Sequence, residues 1–167
     1  MVIIISGSLG VGKTTISKLL SKKLQATYLS VDEILHTAGL DKISEGSFCI
    51  PLDNFIRANE LMKPIILAAA QESKSVIVDG CFYHKEASEH LKKIVDIPCV
   101  AFTLRAPIDV CLRRDEARRK SLGEKAARAV FKLTSSVTIG VVMDATKPTQ
   151  ETVTSILDAV ELRKEKG

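Results

Sequence analysis

The chain has 167 residues, of which 46% are hydrophobic and 26% charged, with a mean hydropathy of +0.14. That length and apolar content suit one domain with a sizeable buried core and exclude a disordered or low-complexity chain. The net charge of +4 excludes little until it is located, while the four cysteines form no CxxC pair and have no His-rich partner segment. This argues against zinc and against a disulfide framework, and points to reduced, mostly buried thiols in a cytoplasmic protein.

The first apolar run, Val2 to Ile5, is too short for a membrane span and runs directly into glycines, so it reads as a buried strand and not a signal peptide. Past Ser6, the stretch GSLGVGKT from Gly7 to Thr14 fits the GxxxxGK[ST] pattern of a phosphate-cradling loop between a strand and a helix. A polyphosphate has to be surrounded by backbone N–H groups at close range, and side chains at Gly10 or Gly12 would obstruct that approach. The nucleotide-contacting stretch is therefore Gly7, Leu9, Gly10, Val11, Gly12, Lys13, Thr14 and Thr15. Lys13 supplies a point charge to the β/γ-phosphates, Thr14 an oxygen for Mg²⁺, and the helix N-terminus its positive dipole end.

The first helix is expected from about Lys13 to Leu24, with Ile16, Leu19, Leu20 and Leu24 in one apolar stripe. Further strands are expected near 27–30, 75–79, 98–104 and 138–143, which with 2–6 gives the rhythm of a parallel sheet covered on both faces. A second helix starts near Val31, with Gly39 as its C-terminal cap. After an irregular stretch from Leu40 to Pro51, a helical pattern runs from about Leu52 to Glu72, where Pro64 should kink or split it. The 40–72 region either carries an acceptor site or is a plain packing hairpin. Pro107 opens a helix with no obvious stop before Gly123, and Pro148 opens a last one with Val153, Ile156, Leu157, Val160 and Leu162 facing inward.

Asp79 ends the third strand in VIVDG, where a parallel sheet presents its ligands, and is the natural Mg²⁺ partner; an ordinary Asp-Gly turn is the alternative. Asp32 follows the second strand, placed to take a proton from an acceptor hydroxyl, unless Asp32 or Ser30 merely caps the helix. From Arg105 to Lys132 there are nine Lys/Arg against four Asp/Glu, an excess larger than that of the whole chain. Within this stretch Arg114 and Arg118 lie one helical turn apart and are candidates to clamp a transferring phosphoryl group, the alternative being an ion-pair face with Asp115 and Glu116. His84, Lys85 and Arg57 are candidates for gripping an anionic acceptor. Phe82 and Tyr83 read as core filling.

These residues resemble the small P-loop kinases that phosphorylate hydroxyls of small molecules or nucleic-acid ends, among them adenylylsulfate kinase, chloramphenicol phosphotransferase, gluconate and shikimate kinases and the kinase domain of polynucleotide kinase. The run of Cys111, Arg114 and Asp115 looks like the start of an adenylylsulfate kinase lid, and MDATKPTQETV is similar to the loop that borders the adenine. No GDxxR signature follows Asp32, and no gluconate kinase pattern lies between Leu40 and Arg57. The resemblance implies an α/β, three-layer P-loop nucleoside triphosphate hydrolase fold: a five-stranded parallel sheet with helices on both faces and a short arginine-rich lid at about 114–123, all in one domain spanning 1–167. It implies a kinase using ATP and Mg²⁺, with Lys13, Asp32, Arg114 and Arg118 catalytic, Thr14 and Asp79 at the metal, and Asp32, Arg57 and His84 toward the substrate. The acceptor is a small molecule or nucleotide. Two alternatives are a 5′-hydroxyl polynucleotide kinase that tracks a backbone along the basic segment and a nucleotide-binding regulator with slow ATPase activity. Against GTP, no NKxD motif lies near the fifth strand. No membrane partner is expected, and the oligomeric state is open.

Overall fold

Five parallel strands in the order β2-β3-β1-β4-β5 form the centre of the chain. They belong to a computed structural model that describes residues 1–43, 49–117 and 123–164. The strands are β1 (Val2–Ser6), β2 (Thr27–Ser30), β3 (Val76–Gly80), β4 (Cys99–Arg105) and β5 (Val141–Asp144). Between and after them run α1 (Lys13–Leu24), α2 (Val31–Thr37), α3 (Leu52–Gln71), α4 (Lys85–Val95), α5 (Ile108–Glu116), α6 (Glu124–Ser135) and α7 (Thr149–Lys164).

The central position of β1 follows from its composition. All five of its residues are buried, and successive side chains serve opposite faces: Val2 and Ile4 join Leu35, Phe55, Met62 and Leu91 on the α2–α4 side. Ile3 and Ile5 join Ile16, Leu20, Val153 and Ile156 on the α1–α7 side. Each such burial contributes about 1.5–3 kcal/mol, so a strand apolar on both faces is driven to the middle of the sheet. At the other extreme β5 lies on an edge, with Val141 and Val142 exposed.

The five expected strands are present, within one or two residues except for β5, which starts three residues later. Gly39 stands just past α2 with φ of +67°, and Leu40 N–H reaches back to Leu35 O, which is the expected glycine stop. Three expectations need correction. Pro64 does not split α3: the helix is continuous over 20 residues, because Pro64 sits on its exposed side while Phe55, Ala58, Met62, Ile66 and Ala69 hold one buried stripe through it. The helix opened by Pro107 ends at Glu116, and a separate helix, α6, begins after Gly123. Leu162 is 57% exposed, whereas Val153, Ile156 and Val160 are buried, because the stripe of α7 rotates away from the sheet by its last turn. Residues 118–122 of the expected lid, including Arg118, lie outside the described residues.

Candidate active site

At the carboxyl end of β1 the sheet order reverses, with β3 on one side and β4 on the other, and a crevice opens there. The loop from Gly7 to Gly12 fills its floor. Gly10 and Gly12 take φ of +72° and +104°, which non-glycine residues seldom adopt. The two differ in why they are glycine. A Cβ at Gly10 would lie 2.0 Å from Cys111 O, so this position is set by the approach of α5 rather than by a phosphate as expected. A Cβ at Gly12 meets no protein atom within 4 Å and would occupy only the cradle itself. Gly12 caps α1 without any side-chain bond, so the first-turn N–H groups of that helix are not taken up by a capping side chain and can face an anion.

Lys13 is almost wholly buried, and its Nζ donates to Ser8 O at 2.9 Å and Cys81 Sγ at 3.1 Å. Burial pulls its pKa down, but the acidic groups of Cys81, Asp79 and Asp32 around it outweigh this and hold it above the ordinary lysine value. Burial also pushes the Cys81 thiol up to about 11, so at neutral pH it is a protonated partner of the lysine.

Asp79 ends β3 with 3% exposure. Its Oδ2 accepts a hydrogen bond from Tyr28 Oη at 2.9 Å, whereas its buried Oδ1 has no partner among the described residues. Such an oxygen is costly unless something else satisfies it. The Tyr28 bond ties β2 to the carboxylate at the end of β3. Burial, reinforced by the Asp79 carboxylate, drives the Tyr28 phenol well above its usual pKa. A hydroxyl at Thr14 and an orphaned carboxylate oxygen at Asp79 fit a divalent cation with oxygen ligands.

Ser30 is the N-cap of α2 and accepts from Glu33 N–H at 3.3 Å. The capping role therefore falls to Ser30. Asp32, in the first turn, lines a cavity of about 750 Å³ together with Leu9, Phe55, Cys81 and Tyr83. A second cavity, of about 290 Å³, lies behind the loop and is lined by Gly10, Gly12, Thr15, Arg114, Lys147 and Thr149. Arg114 Nη1 donates to Val11 O at 3.3 Å and Ala145 O at 3.0 Å, which fixes it to this second cavity. Lys147 and Thr149 belong to the segment expected to border the adenine.

The three expected acceptor contacts are placed elsewhere. Arg57 is exposed on α3 and lines neither cavity. His84 donates from Nε2 to Ile50 O at 2.9 Å and stacks edgewise on Phe55 and Tyr83, a role in holding the wall. Lys85 pairs with Glu89 at the surface, 3.4 Å away. Phe82 fills the core, while Tyr83 is half-buried and accepts from Ile50 N–H at 2.9 Å. Sequence reasoning missed Tyr28 and Cys81 altogether; only the alignment of β2 with β3, Ser30 opposite Asp79, brings Tyr28 to the site.

A five-stranded parallel sheet of this order, carrying a phosphate loop after β1 and a buried carboxylate at the end of β3, defines a P-loop nucleotide-binding domain. The family described as "AAA domain" matches residues 2–137, and the chain belongs to it. It is 33% identical over 138 residues to L-seryl-tRNA(Sec) kinase of Methanococcus maripaludis, which covers 79% of this chain and 50% of that protein. The chain spans about half the length of the curated relatives it matches. Among solved structures it is similar to a sugar kinase from Janibacter sp. HTCC2649, with a TM-score of 0.77 at 16% identity, covering 96% of this chain and 94% of that one. It is also similar to the shikimate kinase of Aquifex aeolicus vf5, with a TM-score of 0.65 at 21% identity over the whole of both chains. At these identities the two structures show the fold, a P-loop kinase fold. Among the described residues no helix is long and apolar enough to cross a membrane.

Proposed function

We propose that the chain is an ATP- and Mg²⁺-dependent phosphotransferase that moves the γ-phosphoryl group to a hydroxyl of a small molecule. The observation that carries this reading is the pair of cavities flanking one loop. The smaller borders Gly10 and Gly12, the larger borders Leu9 and the Lys13 partner Cys81, and Asp32 stands in the larger one. A nucleotide switch needs one such site; transfer needs two.

In this reading the base lies in the smaller cavity against Arg114, and the polyphosphate lies along the loop amides and Lys13. Thr14 and Asp79 would hold Mg²⁺, which when bound would neutralise charge on the phosphates. The acceptor oxygen attacks the γ-phosphorus and forms the new O–P bond. The bond from that phosphorus to the β,γ-bridging oxygen breaks, its electron pair leaving with ADP. Asp32, in the first turn of α2, takes the hydroxyl proton. Positioning and charge stabilisation supply the rate, since phosphoryl transfer asks little covalent help of the protein.

A polynucleotide acceptor finds less support. Within the basic segment Arg113 pairs with Asp109 and Arg128 with Glu124, and Arg105 donates to Thr134 O and Val137 O, so these cations do not form a continuous track.

The test is incubation with labelled ATP and a panel of nucleosides, sugars, small alcohols and short RNA. Lys13→Ala abolishes labelled product. Asp32→Asn keeps ATP binding and lowers transfer by about 10²–10⁴-fold; full activity in Asp32→Asn removes the base assignment.

A further inference from the structure

We infer that the chain forms a homodimer through the exposed face of α3, two copies of that helix lying antiparallel across a two-fold axis. One face of α3 is already used: Phe55, Met62 and Ile66 are buried in the core. A second face is apolar and open. Leu61 and Ile65 are 51% and 45% exposed, and Pro64 and Ala68 are exposed beside them. At about 100° per residue these four positions fall on one stripe about 100° wide. The solvent face of a helix ordinarily carries polar side chains, so an apolar stripe there marks a surface that something else covers. The apolar ground continues past the helix, since Leu61 and Ile65 also line a groove of about 390 Å³ with Tyr28, Ile34 and Ala38. Tyr28 belongs to β2, the edge strand on this side of the sheet.

The order of residues along the stripe identifies what covers it. The stripe begins at Arg57 and ends at Glu72, the C-cap of the helix, and both are exposed. Its positions 57, 61, 64, 65, 68 and 72 read with the same spacing from either end. When two antiparallel copies of α3 meet about a point midway between Pro64 and Ile65, Arg57 therefore faces the partner's Glu72. Leu61 faces the partner's Ala68, and Pro64 the partner's Ile65. A large side chain meets a small one, opposite charges close both ends, and each contact occurs twice by symmetry. Within the chain Glu72 pairs with Lys74 at 2.6 Å, both side chains more than half exposed. A pair so exposed contributes little and leaves the Glu72 carboxylate able to accept from a guanidinium as well. An unrelated protein has no reason to match this palindrome of charge and size; a second copy matches it by construction.

Sedimentation velocity of the full chain from about 1 to about 500 μM tests the pairing. A single helix pair covers less than the about 1,600 Å² of a standard interface, so monomer should give way to dimer in the micromolar range. Ile65→Asp, which puts a charge beside the axis, should leave the chain monomeric throughout. Arg57→Glu and Glu72→Arg should each weaken the dimer about tenfold, because like charges then meet at both ends, and the double variant should return to within about threefold of the unmodified chain. All three residues are exposed in the monomer, so melting temperatures at the lowest concentration should not change. Recovery in the double variant is the result that a folding defect cannot imitate. A dimer that none of these substitutions weakens, or a double variant no better than the single ones, overturns the inference. A monomer at every concentration also overturns it and leaves the face for a different protein to cover.

Discussion

Removing one hydroxyl, in Tyr28→Phe, tests whether Asp79, the carboxylate proposed to hold the metal, is itself held from the second strand. Tyr28 Oη donates to Asp79 Oδ2 at 2.9 Å, and Asp79 Oδ1 has no protein partner among the described residues. A hydrogen bond to a charged group contributes about 1.5–3 kcal/mol, and because Tyr28 is only half-buried the lower end applies. For a chain of 167 residues, a loss of about 1.5 kcal/mol lowers the melting temperature by about 3–6 °C. The larger effect should be on the metal. Partners that orient a ligating carboxylate change metal affinity by about 10–100-fold when removed, and Tyr28 fixes which oxygen of Asp79 is left for the cation. Calorimetric titration with Mn²⁺ in the presence of an ATP analogue reads this directly, and a cycle with Asp79→Asn isolates the pairwise part. Each substitution alone should weaken Mn²⁺ binding, and Tyr28→Phe should cost much less once Asp79 is Asn. An unchanged melting temperature and unchanged Mn²⁺ affinity in Tyr28→Phe would refute the linkage.

The two loop glycines should fail differently. Gly10→Ala combines a left-handed backbone with a Cβ 2.0 Å from Cys111 O, a cost of at least about 3 kcal/mol and visible as a melting temperature about 6–12 °C lower. Gly12→Ala meets no protein atom, so its stability loss stays near the backbone term of about 1–2 kcal/mol while ATP binding, followed by calorimetry, is lost. Arg114→Ala should raise the KM for ATP more than it lowers kcat, because its bonds to Val11 O and Ala145 O place it with the smaller cavity. An effect on kcat alone would return it to the transferring group. At alkaline pH, Tyr28 and Tyr83 both hold their protons more tightly folded than unfolded, since burial raises both. Their contribution to stability is complete below the unfolded tyrosine pKa of about 10 and disappears as pH rises through the folded values. Urea unfolding between pH 8 and 11 should show stability falling above pH 10, with a shallower fall in Tyr28→Phe.

What could be read from the sequence was what the chain encodes locally. The phosphate loop is eight consecutive residues between an apolar run and an amphipathic helix, so its chemistry and its place at the end of β1 are legible together. Strands β1, β3 and β4 were legible because burial on both faces leaves mostly apolar runs. Breaks in helices were harder. Pro64 signals a break by its missing N–H, yet tertiary burial of Met62 and Ile66 on either side of it keeps α3 whole. The basic stretch hides the end of α5 because Arg113 and Arg114 are good helix formers with no punctuation before Gly123.

The parts of the candidate site that were not legible share one cause: they depend on contacts between residues far apart in the chain. Tyr28 and Asp79 are 51 positions apart, and Lys13 and Cys81 are 68 apart. Gly10 owes its identity to Cys111, which no loop pattern mentions. Arginines illustrate the same point from the other side. Arg105 and Arg114 carry the same charge in the same basic stretch, and composition treats them alike. The fold turns Arg105 onto the carbonyls of Thr134 and Val137, where it fastens the end of β4 to the segment leading into β5, and turns Arg114 onto the loop and a cavity. A count of positive residues therefore overstates how many are available to a ligand. The same reasoning bears on the larger cavity, whose described lining comes from the loop after β1, from α2, α3 and α6, and from the segments that follow α2 and β3. No one of those segments contains a recognisable substrate motif, and their convergence alone makes the cavity apolar.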